Sequence, residues 1–130
     1  MLRFVRRLTA FPVLFCCCLL YFQRLPAQTA QHYIRIARIV VDSAQLVQYK
    51  AALKEGVKSA IQKEPGVLQL YAVYDKQQPT HVTVFEIYAS VHAYQLHIQT
   101  EHFKKYKAAV QSMVQSLELT DVEPIALGKK

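Results

Sequence analysis

The chain has 130 residues, and its three cysteines lie together at Cys16, Cys17 and Cys18. Beyond residue 30 there is no thiol nucleophile, disulfide or thiolate metal site, and there is room for one small domain held by packing alone. The formal charge of +7 falls to +3 once Arg3, Arg6, Arg7 and Arg24 are set aside (12 basic against 9 acidic residues), too thin a basic face for a nucleic-acid partner.

Residues 1–30 read as a signal peptide, with Arg3, Arg6 and Arg7 ahead of an apolar run from Leu8 to Phe22 and a polar exit ending at Ala27 or Ala30. The run is shorter than the roughly 20 apolar residues of a comfortable membrane span. Cleavage exports the protein to the periplasm or medium; an uncleaved segment tethers it to the membrane, its one membrane contact. Residues 31–130 are the domain.

Tyr33 to Val41 is β-branched and almost continuously apolar, which predicts a strand. Asp42 with Gln45 resembles a capping box, and Leu46, Leu53, Val57 and Ile61 follow at helical spacing. Glu64-Pro65-Gly66 ends that helix, because proline cannot continue the ladder and glycine turns the chain. Val67 to Tyr74 and Thr80 to Ala89 predict a hairpin across a polar turn at 75–79. Ser90 caps a short helix to about Ile98. Thr100 caps another, in which Phe103, Tyr106, Val110, Met113 and Leu117 recur at three and four residues. Asp121 to Leu127 is the predicted last strand, with Pro124 requiring an edge or a bulge.

The order βαββαβ predicts an α+β, ferredoxin-like sandwich with helices on one face of the sheet. Both faces are nevertheless apolar: Ala37, Ile39 and Val41 alternate with Ile34, Ile36 and Val40, and Val82, Val84 and Tyr88 with Phe85 and Ile87. A homodimer burying sheet against sheet covers the bare face most simply.

Titratable and aromatic groups crowd most closely between Phe85 and Phe103. His97 on a helix facing a cavity can accept a phenolic proton, since its ordinary pKa lies near working pH; alternatively it is a helix-end histidine held by a carbonyl or by Glu101. His102 either closes the cavity or bonds to backbone in the first turn after Thr100. Glu86 among apolar neighbours must be paired or protonated; it orients a histidine or pairs with Arg35 or Arg38. Tyr88, Tyr71 and Tyr74 are candidate phenolic partners for a bound aromatic. No His-x-x-x-His or Cys/His cluster is present, so no dedicated metal site is expected.

Glu86-x-Tyr88 followed by His97-x-x-Thr100-x-His102-Phe103, with the Glu-Pro-Gly turn and the βαββαβ order, resembles the antibiotic biosynthesis monooxygenase domain over Tyr33 to Leu127, closest to its small quinol monooxygenase-like branch. The resemblance implies a dimeric α+β barrel, a cavity between sheet and helices, and oxidation of electron-rich aromatics by O2 with no cofactor. The candidate catalytic residues are His97, His102 and Glu86, with Tyr88, Tyr71 and Phe103 the candidates to line a small aromatic substrate. The chain contains no tryptophan, and no asparagine either, which argues against the haem-degrading branch. The expected function is a cofactor-independent monooxygenase acting on a quinol-like or phenolic aromatic. The alternatives are a non-catalytic exported module binding a small ligand, and an isomerase of the same fold.

Overall fold

The computed structural model describes residues 31–128; the expected export segment, 1–30, lies outside them, as do Lys129 and Lys130. The elements run β1 (Tyr33–Val41), a 3-10 turn (Ser43–Gln45), α1 (Leu46–Lys63), β2 (Val67–Tyr74), β3 (His81–Tyr88), α2 (Val91–His97), α3 (Glu101–Val110) and β4 (Val114–Val122). The four strands form one antiparallel sheet in the order β2-β3-β1-β4. This is the ferredoxin-like arrangement, as the sequence order predicts.

The core lies between the sheet and the helices. Ala37, Ile39 and Val41 of β1 and Val82 and Val84 of β3 meet Tyr49 and Leu53 of α1 and Val110 of α3. Strand alternation sends Arg35 and Glu86 to this same side, directly opposite each other in register. The other face carries Ile36, Val40 and Phe85, all half-buried, beside Tyr71 and Val73, which are 59% and 58% exposed.

Two sequence expectations need correction. Asp42 caps the 3-10 turn by accepting from Ala44 N at 2.9 Å, but the box is not reciprocal. Asp42 N donates to Met113 O at 2.8 Å instead, leaving Gln45 Oε1 buried without a partner. The last strand is Val114–Val122 rather than Asp121–Leu127, and α3 stops at Val110. The spacing of Val110, Met113 and Leu117 suits a helix, but the open edge of β1 offers a ladder from Ile34 to Val41. Pairing with it overrides the local periodicity, and the strand ends before Pro124.

Candidate active site

A cavity of about 130 Å3 lies between the sheet and the helices. Its floor includes Arg35, Ala37, Val84, Glu86 and Tyr88, and its roof Leu53 and Val57 of α1, His97 of α2 and Phe103 and Tyr106 of α3. Leu117 and Leu119 of β4 line one side and are 45% and 48% exposed. The wall is mostly apolar, with His97 and His102 at one end and Arg35 and Glu86 on the sheet.

The histidine end is organised by Glu64. Its carboxylate lies 2.9 and 3.1 Å from His97 Nδ1 and 2.5 Å from His102 Nε2. The side chains of Glu64, His97 and His102 are only 11%, 9% and 18% exposed. An ionised carboxylate only accepts, so both histidines donate to it: His97 through Nδ1–H and His102 through Nε2–H. His97 is thereby left with a lone pair on Nε2, on a ring that lines the cavity. A carboxylate holding Nδ1–H also stabilises the imidazolium that forms when Nε2 takes a proton.

Three chain features bring the group together. Glu64 is the C-cap of α1, where the chain leaves the helix in extended conformation. Ser90 caps α2 by accepting from Ala93 N at 3.1 Å, so the helix places His97 in its last turn. Thr100 caps α3 by accepting from Phe103 N at 3.3 Å, and its hydroxyl donates to His97 O at 2.8 Å. Gly66 closes the assembly: a Cβ there would stand 2.7 Å from the Cβ of Ala93. Only glycine lets α2 come close enough to set His97 against Glu64, and Ala89 N donates to Gly66 O across the same junction at 2.9 Å.

The rings continue from this group along the cavity wall. His97 meets Phe103 edge-on with centroids 4.8 Å apart and Tyr88 at 5.4 Å. Tyr88 is fully buried and its hydroxyl donates to Glu86 at 2.9 Å. Burial first, then the Glu86 charge, pushes the Tyr88 phenol far above its ordinary value, so it holds its proton. Burial likewise raises the Glu86 carboxyl, only partly offset by the Tyr88 hydrogen bond and the charge of Arg35.

Arg35 closes the far end. It donates through Nε to Asp121 at 2.8 Å and through Nη1 to Tyr94 Oη at 2.5 Å, and through Nη2 to Tyr33 Oη. Its guanidinium lies 4.4 Å from the Tyr94 ring centroid. Tyr33 is pushed up to about 12 by burial and by its hydrogen bond to Asp121. Asp121 thus already neutralises the charge of Arg35.

Set against the sequence reading, His97, His102, Glu86, Tyr88 and Phe103 all line one cavity. Tyr71 does not. It pairs with Phe85 in register and shares its face, because the irregularity between Val67 and Gln69 sets which β2 residues face the helices. The acid beside His97 is Glu64, not Glu101, and Glu86 bonds to Tyr88 rather than forming an ion pair with Arg35 or Arg38. Tyr88 is equally committed, so its hydroxyl is not a free donor for a ligand. Sequence reasoning treated Glu64 as a helix stop and missed it. One signal was available: an acid at a helix C-terminus opposes the helix dipole and needs a cationic or hydrogen-bonding partner from elsewhere.

Residues 32–109 match the antibiotic biosynthesis monooxygenase family. The chain belongs to the antibiotic biosynthesis monooxygenase family. A crystal structure from Bacteroides thetaiotaomicron, of a protein provisionally assigned to the antibiotic biosynthesis monooxygenases, is 49% identical, covers 77% of this chain and 95% of its own, and superposes with a TM-score of 0.74. A provisional monooxygenase from Lactobacillus acidophilus is 24% identical over 71% of this chain and 44% of its own, with a TM-score of 0.69. A further one from Nitrosomonas europaea is 18% identical over 74% of this chain and 92% of its own, also with a TM-score of 0.69. These last two share the fold. No curated protein matches the chain. Membership of this family and the 49% identical relative assigned to it support monooxygenase-type chemistry.

Proposed function

We propose that the protein oxidises a quinol-like or phenolic aromatic with O2, and that His97 is the base that starts the reaction. The observation that carries this reading is the Glu64–His97 contact beside a mostly apolar cavity that the His97 ring lines. A cavity of about 150 Å3 lined by apolar side chains accommodates benzene, so one aromatic ring fills the 130 Å3 here. A larger substrate extends past Leu117 and Leu119.

In the proposed step, His97 Nε2 takes a phenolic proton while Glu64 holds Nδ1–H. Proton removal inside a dry pocket leaves an electron-rich anion that O2 oxidises directly. One oxygen atom bonds to a ring carbon and the other leaves as water, the ring supplying the electrons, so that a quinol and O2 give a hydroxyquinone and water. Glu86 and Tyr88 form the wall beside the ring. A sugar-phosphate isomerase fits less well, because Arg35 already has its anion in Asp121.

The proposal includes a second copy seated on the open face of the sheet, where Ile36, Phe85, Tyr71 and Val73 lie together, and export directed by residues 1–30. Intact mass of protein from the cell envelope checks export: a chain starting at Gln28 or Gln31 supports it, and full-length protein in the cytosol opposes it. Incubating chelator-treated protein with a panel of dihydroxy-aromatics under 18O2 tests the reaction. One labelled oxygen atom in the product supports it. Ligand-dependent thermal protection with no oxygen incorporated favours a binding module instead.

A further inference from the structure

The cluster that orients His97 is also a set of metal donors. Glu64 Oε1, His97 Nδ1 and His102 Nε2 come from three different elements, and one donor atom of each residue lies within 4.8 Å of the others. We propose that Glu64, His97 and His102 form a binding site for a divalent metal ion of the zinc class, and that filling it silences the base.

The donor set fits that chemistry. Two imidazoles and one carboxylate suit zinc and its first-row neighbours, and three protein ligands leave a fourth position for water. A tetrahedral ion with bonds of about 2.0–2.1 Å separates its ligand atoms by roughly 3.3 Å. The two histidine–carboxylate separations, 2.9 and 2.5 Å, open to that value by less than an ångström. The carboxylate offsets part of the ion's charge, and the ion takes the place of the two imidazole N–H protons that the carboxylate now accepts.

A hydrated cation can reach the cluster without passing through the aromatic cavity. Glu64 and His102 also line a separate groove between α1 and α3, together with Glu55, Ser59, Thr100 and Glu101. Three of those six residues are acids, which balances Lys63 and Lys105 on the same groove. His102 therefore stands between the two spaces, lining both. Local spacing hides the site, because its ligands are 33 and 38 residues apart from Glu64 in the chain.

The consequence for catalysis follows from the imidazole ring and rests on the function proposed above. Metal on Nδ1 obliges a neutral His97 to carry its remaining proton on Nε2. Nε2, the nitrogen not bound to the ion, then donates, and it cannot take a proton from substrate.

The test uses the full chain without an affinity tag, stripped with a chelator and returned to chelator-free buffer. Zn2+ is titrated in by calorimetry and Co2+ by its visible absorption. One ion per chain is expected, with affinity falling at least about tenfold in Glu64→Gln and in His102→Ala, since even residues that only support a ligand change affinity by that much. His92→Ala, a change at an exposed histidine, should leave binding as it is. Saturable binding unaltered by both cluster variants would place the ion elsewhere and overturn the site, as would the absence of saturable binding in the wild type. Glu64→Gln is nearly isosteric, so its result stands if His102→Ala fails to fold. Zn2+ should also abolish oxygen uptake, with recovery on adding chelator. If the stripped protein takes up no oxygen with any quinol, the function proposal fails while the binding result is still read on its own; undiminished uptake with the site full would overturn the silencing.

Discussion

Replacing His97 by alanine removes a cavity-lining ring whose Nε2 lone pair is left free by the Glu64 carboxylate on Nδ1. General-base catalysis contributes about 10²–10⁴-fold in rate, so His97→Ala should lower kcat by that factor in steady-state assays. Glu64→Gln should lower kcat by less and leave KM nearly unchanged, because an amide oxygen at the Oε1 position still accepts from both rings but brings no negative charge to the imidazolium that forms. Glu86 behaves differently. Its carboxyl is raised in the folded state from an ordinary value of 4.5, so folding disfavours its charged form. The cost is absent below that value, where both states are protonated, and grows as pH rises through it toward the folded pKa. Glu86→Gln should therefore raise the melting temperature at pH 7 relative to wild type and lose that advantage at pH 4, as scanning calorimetry can check. Part of the cavity lining was legible in the sequence, since His97, His102 and Phe103 of one short run line the same cavity. Glu64 was not: an acid before Pro-Gly looks like a helix stop, and its partners lie 33 and 38 residues away.

At the scale of elements, Gly56 in α1 and Gly66 just after it should respond to alanine in opposite directions. A methyl group at Gly66 would meet Ala93 at 2.7 Å, and overpacking of this kind costs about 1–3 kcal/mol. Gly66→Ala should destabilise by that order in urea titrations and reduce activity as well, because α2 carries His97 away from Glu64. Gly56 lies inside α1, where glycine costs up to about 1 kcal/mol relative to alanine, and a Cβ there would stand 3.5 Å from the Tyr106 ring, an ordinary contact. Gly56→Ala should stabilise the fold while narrowing the roof of the cavity. The elements themselves were largely readable: β1 and β2 fall where alternation and turn residues place them, and Ser90 and Thr100 cap their helices as expected. The passage from α3 to β4 was not, because Val110, Met113 and Leu117 satisfy a helical period and only the free edge of β1 makes the strand preferable. The same limit hid the face of Tyr71, whose direction depends on an irregularity at Val67–Gln69.

At the scale of the whole molecule, the proposed sheet-to-sheet pairing predicts that substitutions on the two sides of β1 act differently. Ile39 is 6% exposed in the core beneath the helices, whereas Ile36 is half-buried on the bare face. Ile36→Lys should convert a dimer to a folded monomer by light scattering and circular dichroism, and Ile39→Lys should unfold the chain. A wild-type protein that stays monomeric at micromolar concentration would remove the sheet-to-sheet pairing. The reaction itself stands or falls on oxygen consumption. In an oxygen electrode with chelator-treated protein and a dihydroxy-aromatic of one or two rings, wild type should consume O2 above the uncatalysed rate. His97→Ala should fall at least about a hundredfold toward that background while still folding by circular dichroism. Full oxygen uptake by His97→Ala, or none by wild type with any such substrate, would contradict the account.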